Sequence, residues 1–340
     1  MAPKDDGSLF RRTLVVMAAI ALAVVTWQLN QLLLLVFASM LVAVMIHDFA
    51  RALMRWSKIP FYTALPLAVI LPLVVISVIF GLFGTIMYDQ FTALATTLPG
   101  DFRNFTRWLE TFAAGREALA AANSYAPKME QVFNFAQLAL TNIGSAASAL
   151  AVILVAGVYL AAQPGMYTDS VLAMMPPARA AQARASLTAI HSALTAWLKA
   201  QAVGMAFVAV ATSVGLSVIG IPSGLALGLV AGLCEFVPYL GVILVSIPAI
   251  IIGFGIDAQT GWLTVLVLAI VQQLQGNVVS PIAQRRMADV PPALTIFALI
   301  GFGILCGAMG IILAVPLTVV ALALVKARES TGDDALSGTQ

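Results

Sequence analysis

The sequence predicts an all-α polytopic membrane protein with about eight membrane-embedded elements, and three observations carry that expectation. Hydrophobic residues make up 61% of the 340 and charged residues only 9%, against roughly 25% charged in soluble domains. Apolar runs recur along nearly the whole chain. Between 223 and 254, where such a run should be smooth, the chain carries Glu235-Phe236-Val237-Pro238-Tyr239-Leu240-Gly241. Proline and glycine break helices and a carboxylate is costly in hydrocarbon, so such a break survives only where protein or a water-filled cavity satisfies the freed backbone. Broken helices with a buried ionisable group are a common way of building a solute or ion site in transporters.

Taken in order, residues 1–12 form a cytoplasmic segment whose Lys4, Arg11 and Arg12 precede an uncleaved first membrane helix rather than a signal peptide. The runs 13–27 and 32–46 are separated by Gln28-Leu29-Asn30-Gln31. One helix over both would be ~50 Å long, too long for a ~30 Å hydrocarbon core, so two short antiparallel spans are expected. Arg51, Arg55 and Lys58 follow the pair, and the positive-inside rule then places both its ends in the cytoplasm. Span three, 64–88, contains Pro66 and Pro72 and leaves outward, completing spans one to three over 13–88.

Segment 89–137 is too polar to span. Phe91, Leu94, Leu98, Phe102, Phe105, Leu109 and Phe112 line one face of a helix that Pro99-Gly100 is expected to interrupt. It reads as an extracytoplasmic amphipathic insertion lying on the membrane or on a neighbouring subunit. Span four, 138–163, returns inward and ends at Pro164-Gly165. Residues 164–199 carry Arg179, Arg184 and Lys199 against Asp169, as a cytoplasmic loop should, with an amphipathic helix marked by Leu187, Ile190, Leu194 and Trp197. Residues 200–325 form the core, starting with span five (200–219) and the turn Gly220-Ile221-Pro222-Ser223-Gly224; 326–340 is expected to be a disordered cytoplasmic tail.

Two topologies fit the core. If 223–254 crosses the bilayer simply, span seven (about 259–280) runs outward and strands Arg285 and Arg286 outside. If 223–254 is a re-entrant hairpin, and 292–325 a second one broken near Gly303–Gly310, there are six full spans and every basic cluster, Lys326 and Arg328 included, is cytoplasmic. The hairpin topology is the expectation adopted. A short repeat supports it as an inverted repeat: Gly241-Val242-Ile243-Leu244 before Pro248, and Gly310-Ile311-Ile312-Leu313 before Pro316.

Glu235 is the leading site candidate. It either takes part in proton or solute movement or, as a protonated carboxyl, merely bonds the loosened backbone beside Pro238. Tyr239 would add a hydrogen-bonding wall and Gly241 completes the break. The second candidate is Gln272-Gln273-Leu274-Gln275-Gly276-Asn277, followed by Ser280-Pro281: four amides near the end of a membrane helix offer donors and acceptors to a neutral solute or an ion, or simply bond neighbouring helices. Gly307, Gly310 and Pro316 mark the second break. Asp257 and Asp289 read as loop or capping residues, and Asp48 as an ion pair with nearby Arg51 and Arg55.

A net charge of +2 points to no nucleic-acid partner, and Cys234 and Cys306 lie in apolar runs. His47 and His191 are far apart in sequence and show no ligand spacing, so neither metal nor cofactor is expected. No GxxxxGK[ST] phosphate loop occurs, so transport would be driven by gradients. No enzyme activity is expected. An intramembrane aspartyl protease would use Tyr88-Asp89 and Pro292-Ala293-Leu294, but Gly253-Phe254-Gly255 is followed by Ile256, and Asp257 comes one place late.

At these motifs the chain resembles the autoinducer-2 exporter family of bacterial membrane proteins. The resemblance rests on Gly220-Ile221-Pro222, Gly232 to Gly241, Gln272 to Pro281 and Gly307 to Leu317, and covers about 10–328. It implies a secondary transporter of the bacterial inner membrane, homo-oligomeric, that exports an autoinducer-2-like small polar solute. Sodium–proton antiport is the alternative the family suggests, and a non-transporting membrane scaffold or regulator a further one. Where the family pattern often carries an acidic residue this chain has Gln275, which weakens the case for cation coupling there.

Overall fold

Every regular element among the described residues is helical, as the apolar, strand-poor patterning leads one to expect. The computed structural model describes residues 11, 13–17, 21, 24, 27–113, 115–117, 119, 143–284 and 291–337. The helices are α1 (Asn30–Ser57), α2 (Phe61–Glu110), α3 (Ile143–Ala162), α4 (Pro164–Ala173), α5 (Pro177–Val218), α6 (Gly224–Cys234), α7 (Leu240–Ile256), α8 (Ala258–Leu274), then a π-helical turn (Gln275–Val279), α9 (Ser280–Gln284) and α10 (Pro292–Ser337).

Among the described residues, four stretches can cross a membrane by length and composition: α1, 179–218 of α5, 258–283 and 293–327; α3 with α4 makes a fifth if that pair, bent by 81°, counts as one span. Shorter apolar helical stretches lie at 61–74 within α2, at 224–234 and at 243–256. The first apolar run, 13–27, falls only in part within the described residues, and Arg285, Arg286 and Asp289 fall outside them.

Three expected boundaries are absent. α2 is one helix of 50 residues, about 75 Å long at 1.5 Å per residue, so span three and the polar insertion form a single rod. Pro99-Gly100 does not interrupt it: a proline removes one i−4 bond, and the ladder on either side carries the helix through. α5 likewise runs for 42 residues across the expected loop-to-span boundary at 199/200, where neither glycine nor proline stands to stop it. α10 also continues past 326 to Ser337, since Lys326-Ala327-Arg328-Glu329 are good helix formers and each added residue needs only one more bond.

α5 is the spine on which the others assemble. Its Leu194 and Trp197 join Leu34, Leu41 and Val44 of α1, Ile153 of α3, and Leu313 and Val319 of α10. Its Val208 and Leu216 join Leu227 and Ala231 of α6, Val245, Ala249 and Ile252 of α7, and Leu268 of α8. Between apolar helices in lipid, such contacts hold through close packing more than through hydrophobic transfer. The approach of α6 to α5 is close enough that a Cβ on Gly228 would run into the backbone of Ser213.

The C-terminal half of α2 touches both ends of the α6–α7 unit. At the start of α6, which has no side-chain N-cap of its own, Gln90 Oε1 accepts the Ala226 N–H at 2.9 Å and the Gln90 carbonyl accepts the Ser223 hydroxyl at 3.5 Å. At the end of α7, Asn104 Nδ2 donates to the Gly255 carbonyl at 3.4 Å and Trp108 stacks on Phe254 with ring centroids 4.2 Å apart. The apolar face expected on this segment is thereby divided: Phe105 meets Phe254 of the same chain, while Phe102 and Phe112 are exposed.

Asp48 corrects a local expectation. It meets the Thr195 hydroxyl and His191 Nε2 of α5, the latter at 3.3 Å, rather than Arg51 or Arg55. An arginine three residues on lies one helical turn away along the same surface, whereas α5 faces Asp48 directly.

Candidate functional site

The site grows from one face of α5. Trp197, Gln201 and Gly204 succeed one another at steps of four and three residues, so they share a face of the helix. Trp197 is buried and meets Phe236 edge-on, with ring centroids 5.6 Å apart at 78°. One turn on, Gln201 Nε2 donates to the Glu235 carbonyl at 2.5 Å. A further turn on, Gly204 leaves room for Gln275: a methyl built there would stand 2.7 Å from Gln275 Nε2.

These contacts seat the break between α6 and α7. α6 ends at Cys234, Tyr239 takes a left-handed conformation (φ 70°), and α7 begins at Leu240. That conformation is strained for a residue with a Cβ. Glu235 itself is 7% exposed, and its Oε2 is buried with no hydrogen-bond partner in the protein. Gly241, in the first turn of α7, lies against that same carboxylate. The two ion pairs among the described residues, Arg184–Asp169 and His191–Asp48, leave Glu235 aside.

The amide cluster is only partly brought to this place. Gln275 reaches Gly204, and its Oε1 is buried without a partner. Gln272 is half-buried; Asn277 is exposed and donates to Gln273 Oε1 at 2.9 Å, and Pro281 is exposed. Tyr239 is 49% exposed and Pro238 half-buried. Gln275 opens the π-helical turn, a local widening that tends to occur at functional positions because it re-aims side chains. Glu235 and Gln275, chosen separately from the sequence, thus meet neighbouring turns of one helix, and each presents an unsatisfied buried acceptor.

Gln201 is the residue that sequence reasoning missed. A lone glutamine at the point where a basic loop gives way to an apolar run reads as an interfacial residue. Only the fold shows its amide on the freed carbonyl of the break. The second break has the corresponding arrangement: Gly307 (φ 66°, ψ −148°) interrupts α10, Gly310 presses on the Phe302 carbonyl, Pro316 is buried beyond it, and Asn30 Nδ2 of α1 donates to the Leu305 carbonyl at 3.3 Å.

Chemically, a carboxyl enclosed in this way needs a proton, a cation or a hydrogen-bond donor beside it, because an isolated buried carboxylate is strongly disfavoured. Gln275 Oε1 adds a neutral acceptor. Such a pair suits a ligand that donates.

Residues 14–329 match the family described as "AI-2E family transporter". Among relatives, "Putative transport protein YueF" of Bacillus subtilis (strain 168) is 35% identical over 127 residues, 37% of this chain and 34% of that protein. "Putative transport protein YrrI" of the same organism is 31% identical over 40% of this chain and 38% of its own length. A Mycobacterium tuberculosis protein, also named for transport, is 24% identical over 90% of this chain and 85% of its own. The matches to the two Bacillus proteins thus span little more than a third of their lengths.

Proposed function

Because this chain belongs to the AI-2E family of transporters, and is accordingly a membrane transporter, we propose that it moves a small polar solute across the bacterial inner membrane by a gradient-driven mechanism centred on Glu235. The observation that carries this reading is a pair of unsatisfied buried acceptors beside successive turns of α5: Glu235 Oε2 at the α6–α7 break, whose backbone Gln201 holds, and Gln275 Oε1, whose side chain reaches Gly204. A proton on Glu235 lets the carboxyl donate to a solute hydroxyl or carbonyl; without it the pair accepts from a solute or a cation. Exchange between these states links proton movement to solute movement. An autoinducer-2-like polyhydroxylated molecule, exported by a homo-oligomer, fits this chemistry.

The re-entrant topology belongs to the same proposal. The start of α6 meets Gln90 and the end of α7 meets Asp101 and Asn104, positions 11 to 14 residues apart on one helix. That is about 16–21 Å along α2 at 1.5 Å per residue. The two ends of a unit that crossed the bilayer simply would be ~30 Å apart. The shorter separation supports a hairpin that enters and leaves on one side, with α10, broken at Gly307, as its counterpart.

Purified protein in sealed vesicles, tested in parallel with autoinducer-2, sodium and an imposed proton gradient, tests the proposal. Solute accumulation driven by the proton gradient is expected. Sodium movement exchanged for protons with no solute flux would favour the antiporter alternative, and no flux of any of the three would overturn both.

A further inference from the structure

The sequence contains two histidines, His47 and His191, and the fold brings both to one carboxylate, away from the Glu235 break. Their rings lie 6.5 Å apart, edge-on at 78°. His191 Nε2 is 3.3 Å from Asp48 Oδ1, and the Thr195 hydroxyl donates to Asp48 Oδ2. His47 Nδ1 is 3.3 Å from the Ala161 carbonyl, and its ring leans on Phe61 at 5.4 Å. Four polar side chains from α1 and α5, tied to the end of α3, thus converge in a chain that is 61% hydrophobic.

We propose that the His47–Asp48–His191 cluster is a second proton-binding site, separate from Glu235, which charges from water on the side of Arg51, Arg55 and Lys58 and ties α1 and α5 to the corner between α3 and α4. Among the described residues each ring has one nitrogen engaged, Nδ1 of His47 and Nε2 of His191, and the other open. A carbonyl accepts only, so His47 carries its hydrogen on Nδ1 and leaves the Nε2 lone pair free. A carboxylate also accepts only, so His191 carries its hydrogen on Nε2 and leaves Nδ1 free. A proton from hydronium forms the new N–H bond at either open nitrogen, releases water and adds one positive charge beside Asp48. Side-chain exposures of 38% for His191 and 18% for Asp48 give that proton a path from solvent.

Few other charges compete. On α1, Arg51 and Asp48 are the charged neighbours of His47. α3 offers the Ala161 carbonyl, and Tyr159 is its one ionisable side chain. α2 presents Phe61. On α5, Arg184 is engaged by Asp169 of α4, and residues 313–325 of α10, packed on the Leu194 side of α5, contain no ionisable group. No three His, Cys, Asp or Glu side chains among the described residues are placed to hold a metal ion. Ala161 lies two residues from Gln163, where α3 and α4 bend by 81°, so a charge gained here bears directly on that corner.

The full chain, ¹⁵N-labelled at histidine, freed of any purification tag and held in lipid nanodiscs, tests this by imidazole ¹⁵N spectroscopy. Two neutral rings of opposite tautomer are expected at high pH, His47 protonated on Nδ1 and His191 on Nε2. Through the histidine range of about pH 5–8 they should titrate as a coupled pair. His47→Gln should move the His191 midpoint by about half a pH unit or more, and Asp48→Asn should move both. Asp169→Asn, across α5, should move neither. Rings of the same tautomer in the parent protein would overturn the proposal without reference to any variant, and so would midpoints indifferent to His47→Gln and Asp48→Asn.

Discussion

The two helix breaks of this chain are built on one plan and furnished differently. At each, an amide from a distant helix takes up a freed carbonyl: Gln201 on Glu235 at 2.5 Å, Asn30 on Leu305 at 3.3 Å. The second break uses a glycine in a conformation nearly closed to other residues, and Gly301, Phe302, Gly303, Cys306 and Gly310 around it bring no charge. The first uses a left-handed tyrosine, buries a carboxylate and leaves Glu235 Oε2 unsatisfied, with Gln275 Oε1, unsatisfied too, one turn further along α5. A break that only had to bend the chain needs no more than the second one has. The surplus polar atoms of the first are what make it the candidate site.

The difference can be sharpened by removing the clamps. Gln201→Ala leaves a buried carbonyl unpaired and should lower stability by ~1–3 kcal/mol; thermal unfolding in nanodiscs checks this. Gly307→Ala forces a Cβ into a region almost reserved for glycine and should cost a similar ~1–3 kcal/mol, and equal melting of parent and variant would show that the second break relaxes freely. Asn30→Ala removes a longer, solvent-exposed bond and should change stability by no more than about 0.5 kcal/mol. If Asn30→Ala proves as damaging as Gln201→Ala, the two breaks are equivalent and the contrast fails.

The smallest effect lies outside both breaks. Asp257 caps α8, accepting the Thr260 N–H at 2.8 Å and its hydroxyl at 2.9 Å, and these bonds hold its carboxyl below the usual range. Since the folded state favours the ionised form, the stabilisation is present above the unfolded value near 3.9 and is lost as pH falls through the folded one. Asp257→Ala should therefore be slightly less stable than the parent at pH 7, with the gap narrowing towards pH 3 in parallel melts.

Much of this organisation was legible in the sequence. Pro164-Gly165, Gly220 to Gly224, Glu235 to Gly241 and Gly303 to Gly310 announce interruptions because proline, glycine and a carboxylate act locally on the backbone. Glu235 and Gln275 stood out because polar groups are rare in apolar runs. The continuity of α2 past residue 88 and of α5 past residue 199 was not legible: a change from apolar to polar residues records a change of solvent, and the hydrogen-bond ladder is indifferent to it. Gln201, the π-helical turn and the meeting of His47 with His191 depend on contacts between distant segments, which no local pattern encodes. The expected pairing of Asp48 with Arg51 failed for the same reason.

The most direct test of the account is pH-gradient-driven uptake of labelled autoinducer-2 into sealed vesicles by the parent, Glu235→Gln and Glu235→Leu. Glutamine keeps the shape and hydrogen bonding of the side chain and removes its proton exchange. Leucine strands no partner at Oε2, so both variants should fold with stability within about 1 kcal/mol of the parent. Both variants should lose gradient-driven accumulation while remaining folded. Unchanged pH-driven uptake by Glu235→Gln would contradict it.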